Sequence, residues 1–152
     1  MIRRYVVGAG LAALVVTADA LTKRWASVRL ADGPPIVLIP DFLELTFTEN
    51  PGAAFSLFEN AGPFLGIAAI VVSVVLLWSL RLERPMMETV AYGLIMGGAL
   101  GNLVDRMFRG PGFLDGKVID WIDLWWIPTF NVADMSITIA VGLLVIHAWL
   151  TR

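Results

Sequence analysis

The sequence predicts an all-α polytopic membrane protein, with four transmembrane helices and a small extracytoplasmic β-strand cradle. A surface loop or helix is expected on the same side. Three observations predict this fold class. The 152 residues are 58% hydrophobic and 16% charged, with a mean hydropathy of +0.78. Four apolar runs approach the roughly 20 residues that a bilayer span requires. Two polar segments with prolines, glycines and tryptophans separate them, and we predict one membrane domain over residues 1–152.

The predicted spans cover residues 4–27, 63–81, 86–107 and 131–150, and the surface segments cover residues 28–62 and 108–130. The first span has two interpretations. Ala18-Asp19-Ala20 resembles the small-x-small cleavage site of a removable signal peptide. Alternatively, a membrane helix includes Asp19 and Lys23, which are four residues apart and can pair on one face, with the lysine stem reaching toward headgroups. Whether this pair only ends a helix or also shapes a site stays open.

The first surface segment contains a predicted strand. Apolar and polar side chains alternate over residues 43–48, the period of a strand with one dry and one wet face. A turn is expected to follow over Asn50-Pro51-Gly52-Ala53-Ala54-Phe55. This segment should lie on the membrane surface.

The third and fourth spans carry further patterns. Glycines 93, 97 and 101 recur on one face of the third span and favour close approach of another helix. Asn102 and Arg106 lie one turn apart at its end. Asn131 and Asp134 open the fourth span, where N-terminal capping is the simplest role for either.

Because successive spans cross the membrane in opposite directions, the four spans place alternate connections on the same membrane face. The ends of the first and third spans and the starts of the second and fourth share that face, which gathers Asp19, Asn50, Asn102, Asp105, Arg106, Asp120 and Asp134. A carboxylate near the bilayer centre costs about 2.5–3.5 kcal/mol, so it usually has a task. We interpret Asp120 and Asp134 as a catalytic pair that shares one proton, although the sequence does not say which aspartate carries it.

The direction of insertion follows from basic residues. The face opposite the polar cluster has short tails and one tight link that contain Arg3, Arg4, Arg81, Arg84 and Arg152. Their density predicts that this face and both termini are cytoplasmic. The catalytic pair would then face outward.

Composition limits the chemistry. The chain has no cysteine and one histidine, so thiolate nucleophiles are excluded and a serine–histidine–aspartate triad or multi-histidine zinc site is hard to assemble. We expect no metal and no cofactor. A net charge of -2 without a basic block predicts no nucleic-acid partner. Three alternatives stay open: a proton or ion transporter, a non-enzymatic assembly subunit, and a serine–lysine peptidase that uses Lys23.

Five sequence blocks, in order over nearly the whole chain, resemble bacterial lipoprotein signal peptidase, or signal peptidase II. They are DALTK from Asp19, NPGAAF from Asn50, GGALGNLVDR ending at Arg106, VIDW around Asp120 and FNVAD ending at Asp134. The chain departs from the family pattern by having Trp121 where phenylalanine is usual. The link over residues 110–117 is also longer than expected.

The resemblance implies an aspartic endopeptidase of the bacterial inner membrane that cuts prolipoproteins before their diacylglyceryl cysteine. Asp120 and Asp134 match the catalytic positions. The site-shaping positions are matched by Asp19, Lys23, Asn50, Gly52, Asn102, Arg106 and Asn131. The implied partners are the prolipoprotein and membrane lipid, and we expect a monomer. We also expect residues 109–128 to act as a mobile lid over the bound peptide.

Overall fold

The computed structural model describes residues 2–52 and 61–152. Its helices are α1 (Ile2–Arg29), α2 (Gly62–Ser79), α3 (Met86–Phe108) and α4 (Val132–Leu150). Its strands are β1 (Ile36–Ile39), β2 (Leu43–Asn50), β3 (Val118–Leu124) and β4 (Ile127–Phe130). The strands form an antiparallel sheet in the order β1-β2-β3-β4. Of the predicted turn after β2, Ala53, Ala54 and Phe55 lie outside the described residues.

The helices lie close to the predicted spans and indicate a multi-pass membrane protein. Within the described residues, α1, α2 and α4 are long and apolar enough to cross a bilayer. Large apolar side chains such as Leu14, Val74 and Val145 point away from the protein, as lipid-facing residues do. The 23-residue α3 carries charged side chains near both ends and is not among these three helices, so the count of four spans stays a prediction.

The second surface segment differs from the expected loop or helix. Residues 118–130 form β3 and β4 instead, and the β-branched and aromatic residues around Asp120 favour strand over helix. β3 lies inside the sheet, paired with β2 on one side and β4 on the other. Residues 118–124 are therefore hydrogen-bonded on both sides, so a lid over residues 109–128 would have to move together with the sheet, and the lid stays a prediction.

The glycine face of α3 makes the close contacts that the sequence predicts. A Cβ at Gly93 would lie 2.7 Å from the carbonyl oxygen of Gly8 in α1, and one at Gly97 would lie 2.6 Å from the Cβ of Val15. On a neighbouring face, a Cβ at Gly98 would lie 2.5 Å from the carbonyl oxygen of Ala133 in α4. Because the glycines have no side chain, α3 can pack tightly between α1 and α4.

The sheet rests on the end of α1 through its dry face. Leu45 and Phe47 of β2 pack on a buried cluster of Ala26, Leu30 and Ile119. Trp121 also packs on this cluster, and its ring meets Trp25 edge to face at 5.6 Å between centroids. Since alternate residues of a strand point to opposite faces, Asp120 points away from this cluster.

The link between α3 and β3 is attached to α2. Leu114 has a φ of 57° and is buried. Its side chain lies against Gly66, where an added Cβ would be 3.0 Å away. The backbone at Leu114 also approaches Gly62, so a bulky residue of the link fills the space left by two glycines of α2.

Candidate active site

Asp120 is a buried carboxylate held by two side-chain amides. β3 presents it opposite Thr48 of β2, which brings Asn50, two residues further along β2, to the same face. Asn50 Nδ2 donates to Asp120 Oδ2 at 3.0 Å, and Asn131 Nδ2 donates to Asp120 Oδ1 at 2.6 Å. Only 2% of Asp120 is exposed. The aspartate expected on a loop therefore lies on a strand that is paired on both sides.

The environment of Asp120 favours its protonated form. Burial raises the pKa of this carboxyl from 3.8 to about 6, and the charge of Asp134 adds to the increase. The hydrogen bonds from Asn50 and Asn131 oppose it. Asp120 can therefore hold a proton at a pH where an ordinary aspartate is ionised.

Asp134 lies in the first turn of α4, where it is part of a capping box. Asn131 is the N-cap: its Oδ1 accepts from the backbone N–H of Asp134 at 3.0 Å, and its own N–H donates to Asp134 Oδ2 at 3.3 Å. The predicted capping role is confirmed for Asn131. Asp134 Oδ1 also accepts from Asn102 Nδ2 at 2.8 Å.

Asn131 connects the two aspartates. Its backbone N–H is bonded to Asp134 and its side-chain amide to Asp120, and the residue is fully buried. A residue that contacts both carboxylates can set their separation. The structure thus brings the predicted pair together at one place, from a strand and a helix.

The buried ammonium group of Lys23 contacts residues that lie next to the two aspartates. Lys23 Nζ lies 2.6 Å from Asp19 Oδ2, 2.8 Å from Asp105 Oδ2 and 2.9 Å from Asn102 Oδ1. These contacts use all three of its donors. The expectation that Lys23 reaches toward headgroups is wrong, because only 1% of the residue is exposed. The ion pair with Asp19 is connected to Asp134 through Asn102, which contacts both Lys23 and Asp134.

Arg106 and Gly52 line the same space. Arg106 donates to the carbonyl oxygens of Pro51 and Gly116 at 3.4 and 3.5 Å, which leaves part of its guanidinium facing the cavity. The N–H of Gly52 donates to Asn50 Oδ1 at 3.1 Å. Gly52 therefore helps to orient the amide that reaches Asp120.

These groups form the polar end of a cavity of about 840 Å³. The charged and amide side chains that line it are Asn50, Asn102, Arg106, Asp120 and Asp134, and Thr129 and Thr138 add two hydroxyl groups. The remainder is mostly apolar and comes from α2, α3 and α4, with a contribution from β3 and β4. Leu65, Val72, Ile95 and Ile137 are among the helix residues. Two carboxylates beside an apolar space, one of which has a raised pKa, are suited to general acid–base chemistry.

Sequence reasoning did not assign Asp105 to the site. The residue is 4% exposed, and its carboxylate contacts Lys23 and accepts from the backbone N–H of Ile119 in β3. The available signal was its place three residues after Asn102 on the same helix. His147 lies away from this cluster, with Nε2 3.3 Å from Glu88 Oε1. Among residues 2–52 and 61–152, no group of three or more histidine, aspartate or glutamate side chains could hold a metal ion.

Comparison with known proteins identifies the family. The family model described as signal peptidase (SPase) II matches residues 11–150. The chain belongs to the signal peptidase II family. It is therefore a protease, which decides against the transporter and the assembly subunit.

Relatives in the signal peptidase II family cover most of the chain. It is similar to the lipoprotein signal peptidase of Rhodococcus jostii, with 40% identity over 136 residues, 90% of this chain and 69% of the relative. It is also similar to that of Thermosynechococcus vestitus, with 40% identity over 151 residues, 93% of this chain and 90% of the relative. The Mycobacterium avium relative is 41% identical over 136 residues, 90% of this chain and 75% of its own length.

Solved structures support the same fold for this signal peptidase II family member. A bacterial membrane enzyme determined by the in meso method at 2.3 Å has a TM-score of 0.82 and 31% identity, covering 93% of this chain and 87% of its own. A second, at 1.9 Å, has a TM-score of 0.79 and 32% identity, covering 93% of this chain and 91% of its own.

Proposed function

We propose that the chain is an intramembrane aspartic endopeptidase that removes signal peptides from lipid-modified prolipoproteins, cutting before the diacylglyceryl cysteine. The observation that carries the proposal is the cavity, in which Asp120 and Asp134 lie at the polar end of an otherwise apolar space. The relatives named lipoprotein signal peptidases support this class of substrate.

Asp120 and Asp134 take different roles at the start of the reaction. Asp120 is the better proton carrier because burial raises its pKa to about 6. The Asp134 carboxylate takes a proton from a water whose oxygen attacks the scissile carbonyl carbon. Asp120 donates its proton to the carbonyl oxygen, which gives a neutral gem-diol.

Collapse of the gem-diol completes the cycle. Asp134 gives its proton to the departing nitrogen as the C–N bond breaks, and Asp120 recovers a proton from one hydroxyl of the gem-diol. The products are a new carboxyl group on the signal peptide and an amine on the lipid-modified cysteine. The pair is left with one proton, ready for another water.

The apolar part of the cavity suits a lipid-modified substrate. α2 packs against α3, and α4 packs against α3 and α1, which leaves the cavity between α2 and α4. Small side chains of Ala68, Ala69 and Ala99 widen this space. We place hydrocarbon from the substrate there, with the scissile peptide at the polar end.

The proposal includes a placement in the bacterial inner membrane with four spans, an extracytoplasmic active site and cytoplasmic termini. Basic residues at the opposite end support this orientation, because short cytoplasmic tails and links are rich in arginine and lysine. Arg81 donates to Tyr5 Oη at 3.2 Å and Arg4 lies 3.9 Å from Glu83, so the start of α1 and the link after α2 lie together at that end. Membrane lipid surrounds the helices, and the protein acts as a monomer because the glycine face of α3 is used within the chain.

The decisive experiment compares cleavage of a lipid-modified precursor by wild type, Asp120→Asn and Asp134→Asn in detergent or nanodiscs. Asp123→Asn is the matched control, because it changes an aspartate on the same strand that lies outside the cavity. We expect loss of cleavage in the first two variants and near-normal cleavage in the control. Appreciable cleavage by a correctly inserted Asp120→Asn or Asp134→Asn would refute the catalytic pair. Equal cleavage of an unlipidated precursor would refute the substrate class.

A further inference from the structure

The ammonium group of Lys23 is bonded to two carboxylates that reach different parts of the protein. The first is Asp19, one turn earlier on α1, at 2.6 Å. Its other oxygen, Oδ1, accepts from the backbone N–H of Ala133 at 3.0 Å. Ala133 directly precedes Asp134, so the first connection from Lys23 ends beside one aspartate of the pair.

The second carboxylate is Asp105 of α3, at 2.8 Å from Lys23. The same oxygen, Oδ2, accepts from the backbone N–H of Ile119 at 3.2 Å. Ile119 directly precedes Asp120. The second connection from Lys23 therefore ends beside the other aspartate, in the equivalent sequence position.

These two connections join elements that lie apart along the chain. Asp120 comes from the sheet and Asp134 from α4, and a proton can pass from each to the same substrate only if their spacing is constant. Lys23, Asp19 and Asp105 are each at most 4% exposed, so their ion pairs are poorly screened by water. An ammonium with three short contacts offers little freedom for either carboxylate to move.

We propose that Asp105 is a positioning residue, which acts with Lys23 and Asp19 to fix the backbone of Asp120 relative to that of Asp134. This inference rests on the proposed function. Asp105 makes no contact with the reacting groups through its carboxylate, because Oδ2 is occupied by Lys23 and Ile119 and Oδ1 accepts from Arg109 at 2.7 Å.

The first test reads the two backbone N–H groups directly by hydrogen exchange on the full-length protein without substrate. Asp105→Ala should raise the exchange rate of the Ile119 amide about tenfold and leave that of Ala133 unchanged. Asp19→Ala should raise the exchange rate of the Ala133 amide and leave that of Ile119 unchanged. Lys23→Met should raise the exchange rates of both amides. Equal acceleration at both amides in Asp105→Ala would overturn the proposal, as would no change at either.

The second test measures peptidase activity. Asp105→Ala should lower kcat at least about tenfold with KM within about twofold, because spacing of the aspartates affects the chemical step more than substrate binding. Asp105→Asn keeps an oxygen that can accept from Ile119 and should recover part of kcat. Unchanged kcat in Asp105→Ala would overturn the proposal.

A matched control separates positioning from general destabilisation. Arg109→Gln removes the ion pair on the other oxygen of Asp105 and leaves the bonds to Lys23 and Ile119, and it should retain kcat within about threefold. If Arg109→Gln and Asp105→Ala lose equal activity, the positioning role is excluded. If the proposed function is wrong, Asp120→Asn will still cleave the precursor. The hydrogen-exchange result does not depend on cleavage, so the two failures can be told apart.

Discussion

The side-chain amide of Asn131 donates a 2.6 Å hydrogen bond to the carboxylate of Asp120. The same residue is the N-cap of α4 and so determines where that helix begins. A change at Asn131 therefore affects the strand aspartate through the side chain and the helix aspartate through the backbone. These two effects can be separated by choosing the replacement.

We expect Asn131→Ala to lower both stability and activity, whereas Asn131→Ser should lower mainly activity. Loss of an N-cap costs about 1 kcal/mol, and serine still caps a helix. Serine is too short to replace the amide that reaches Asp120, so kcat should fall about tenfold or more in both variants. Thermal unfolding and precursor cleavage would measure the two effects. Wild-type kcat in Asn131→Ser would contradict the role of the bond to Asp120.

The pH dependence of activity should show the raised pKa of Asp120. The proposed mechanism requires its proton, and the pKa is about 6, so kcat/KM should begin to fall as pH rises through about 6. Above that value the fall should approach tenfold per pH unit. Cleavage of a lipid-modified precursor at low substrate concentration over pH 5–9 would measure it. A flat profile from pH 5 to pH 8 would contradict the assignment of Asp120 as the acid.

The stability of the folded protein should fall with rising pH because of the Asp120 carboxyl. The folded pKa of Asp120 lies above the unfolded value, so its protonated form stabilises the fold at low pH, and this contribution is lost as pH rises from about 4 to above about 6. The shift from 3.8 to about 6 corresponds to about 3 kcal/mol. Asp120→Asn should therefore gain stability relative to wild type between pH 4 and pH 7.

Thermal unfolding in detergent at both pH values would measure this gain, with Asp123→Asn as the control. A difference between Asp120→Asn and wild type that does not change with pH would show that the buried carboxyl is not the titrating group.

The helix contacts predict an unequal response of two glycines. Gly98→Ala would place a Cβ 2.5 Å from the carbonyl oxygen of Ala133, at the start of α4, so it should lower stability and displace Asp134. At Gly142 an added Cβ meets no atom within 4 Å, and alanine should be neutral or stabilise the helix by up to about 1 kcal/mol. Thermal midpoints and cleavage rates would test both. Equal losses would contradict the close approach of α3 and α4.

Much of this arrangement could be predicted from local sequence. Long apolar runs gave the helix positions, and the alternation at residues 43–48 gave β2 with its dry face toward Ile119. The glycine spacing in α3 predicted close helix contacts, and the Asn131 to Asp134 spacing predicted the cap. Each of these features depends on residues only a few positions apart.

Features that depend on distant residues were predicted less well. The spacing of Asp19 and Lys23 showed that they could pair, but not that α3 brings Asn102 and Asp105 to the same ammonium. Similarly, residues 118–130 contain tryptophans and a proline that suggest a surface loop. The pairing of β3 with β2, more than 60 residues earlier, and of β4 with β3 could not be predicted from these local residues.

The contact of Leu114 with Gly62 and Gly66 ties the start of α2 to the chain segment that leads into β3. Two residues later, the N–H of Gly116 donates to the carbonyl oxygen of Arg106 at 3.1 Å, and its carbonyl accepts from the Arg106 side chain. α2 is therefore connected through Leu114 and Gly116 to the Arg106 guanidinium at the polar end of the cavity. Since α2 forms one wall of the cavity, we expect a change in its position to shift the positive charge that faces Asp120 and Asp134.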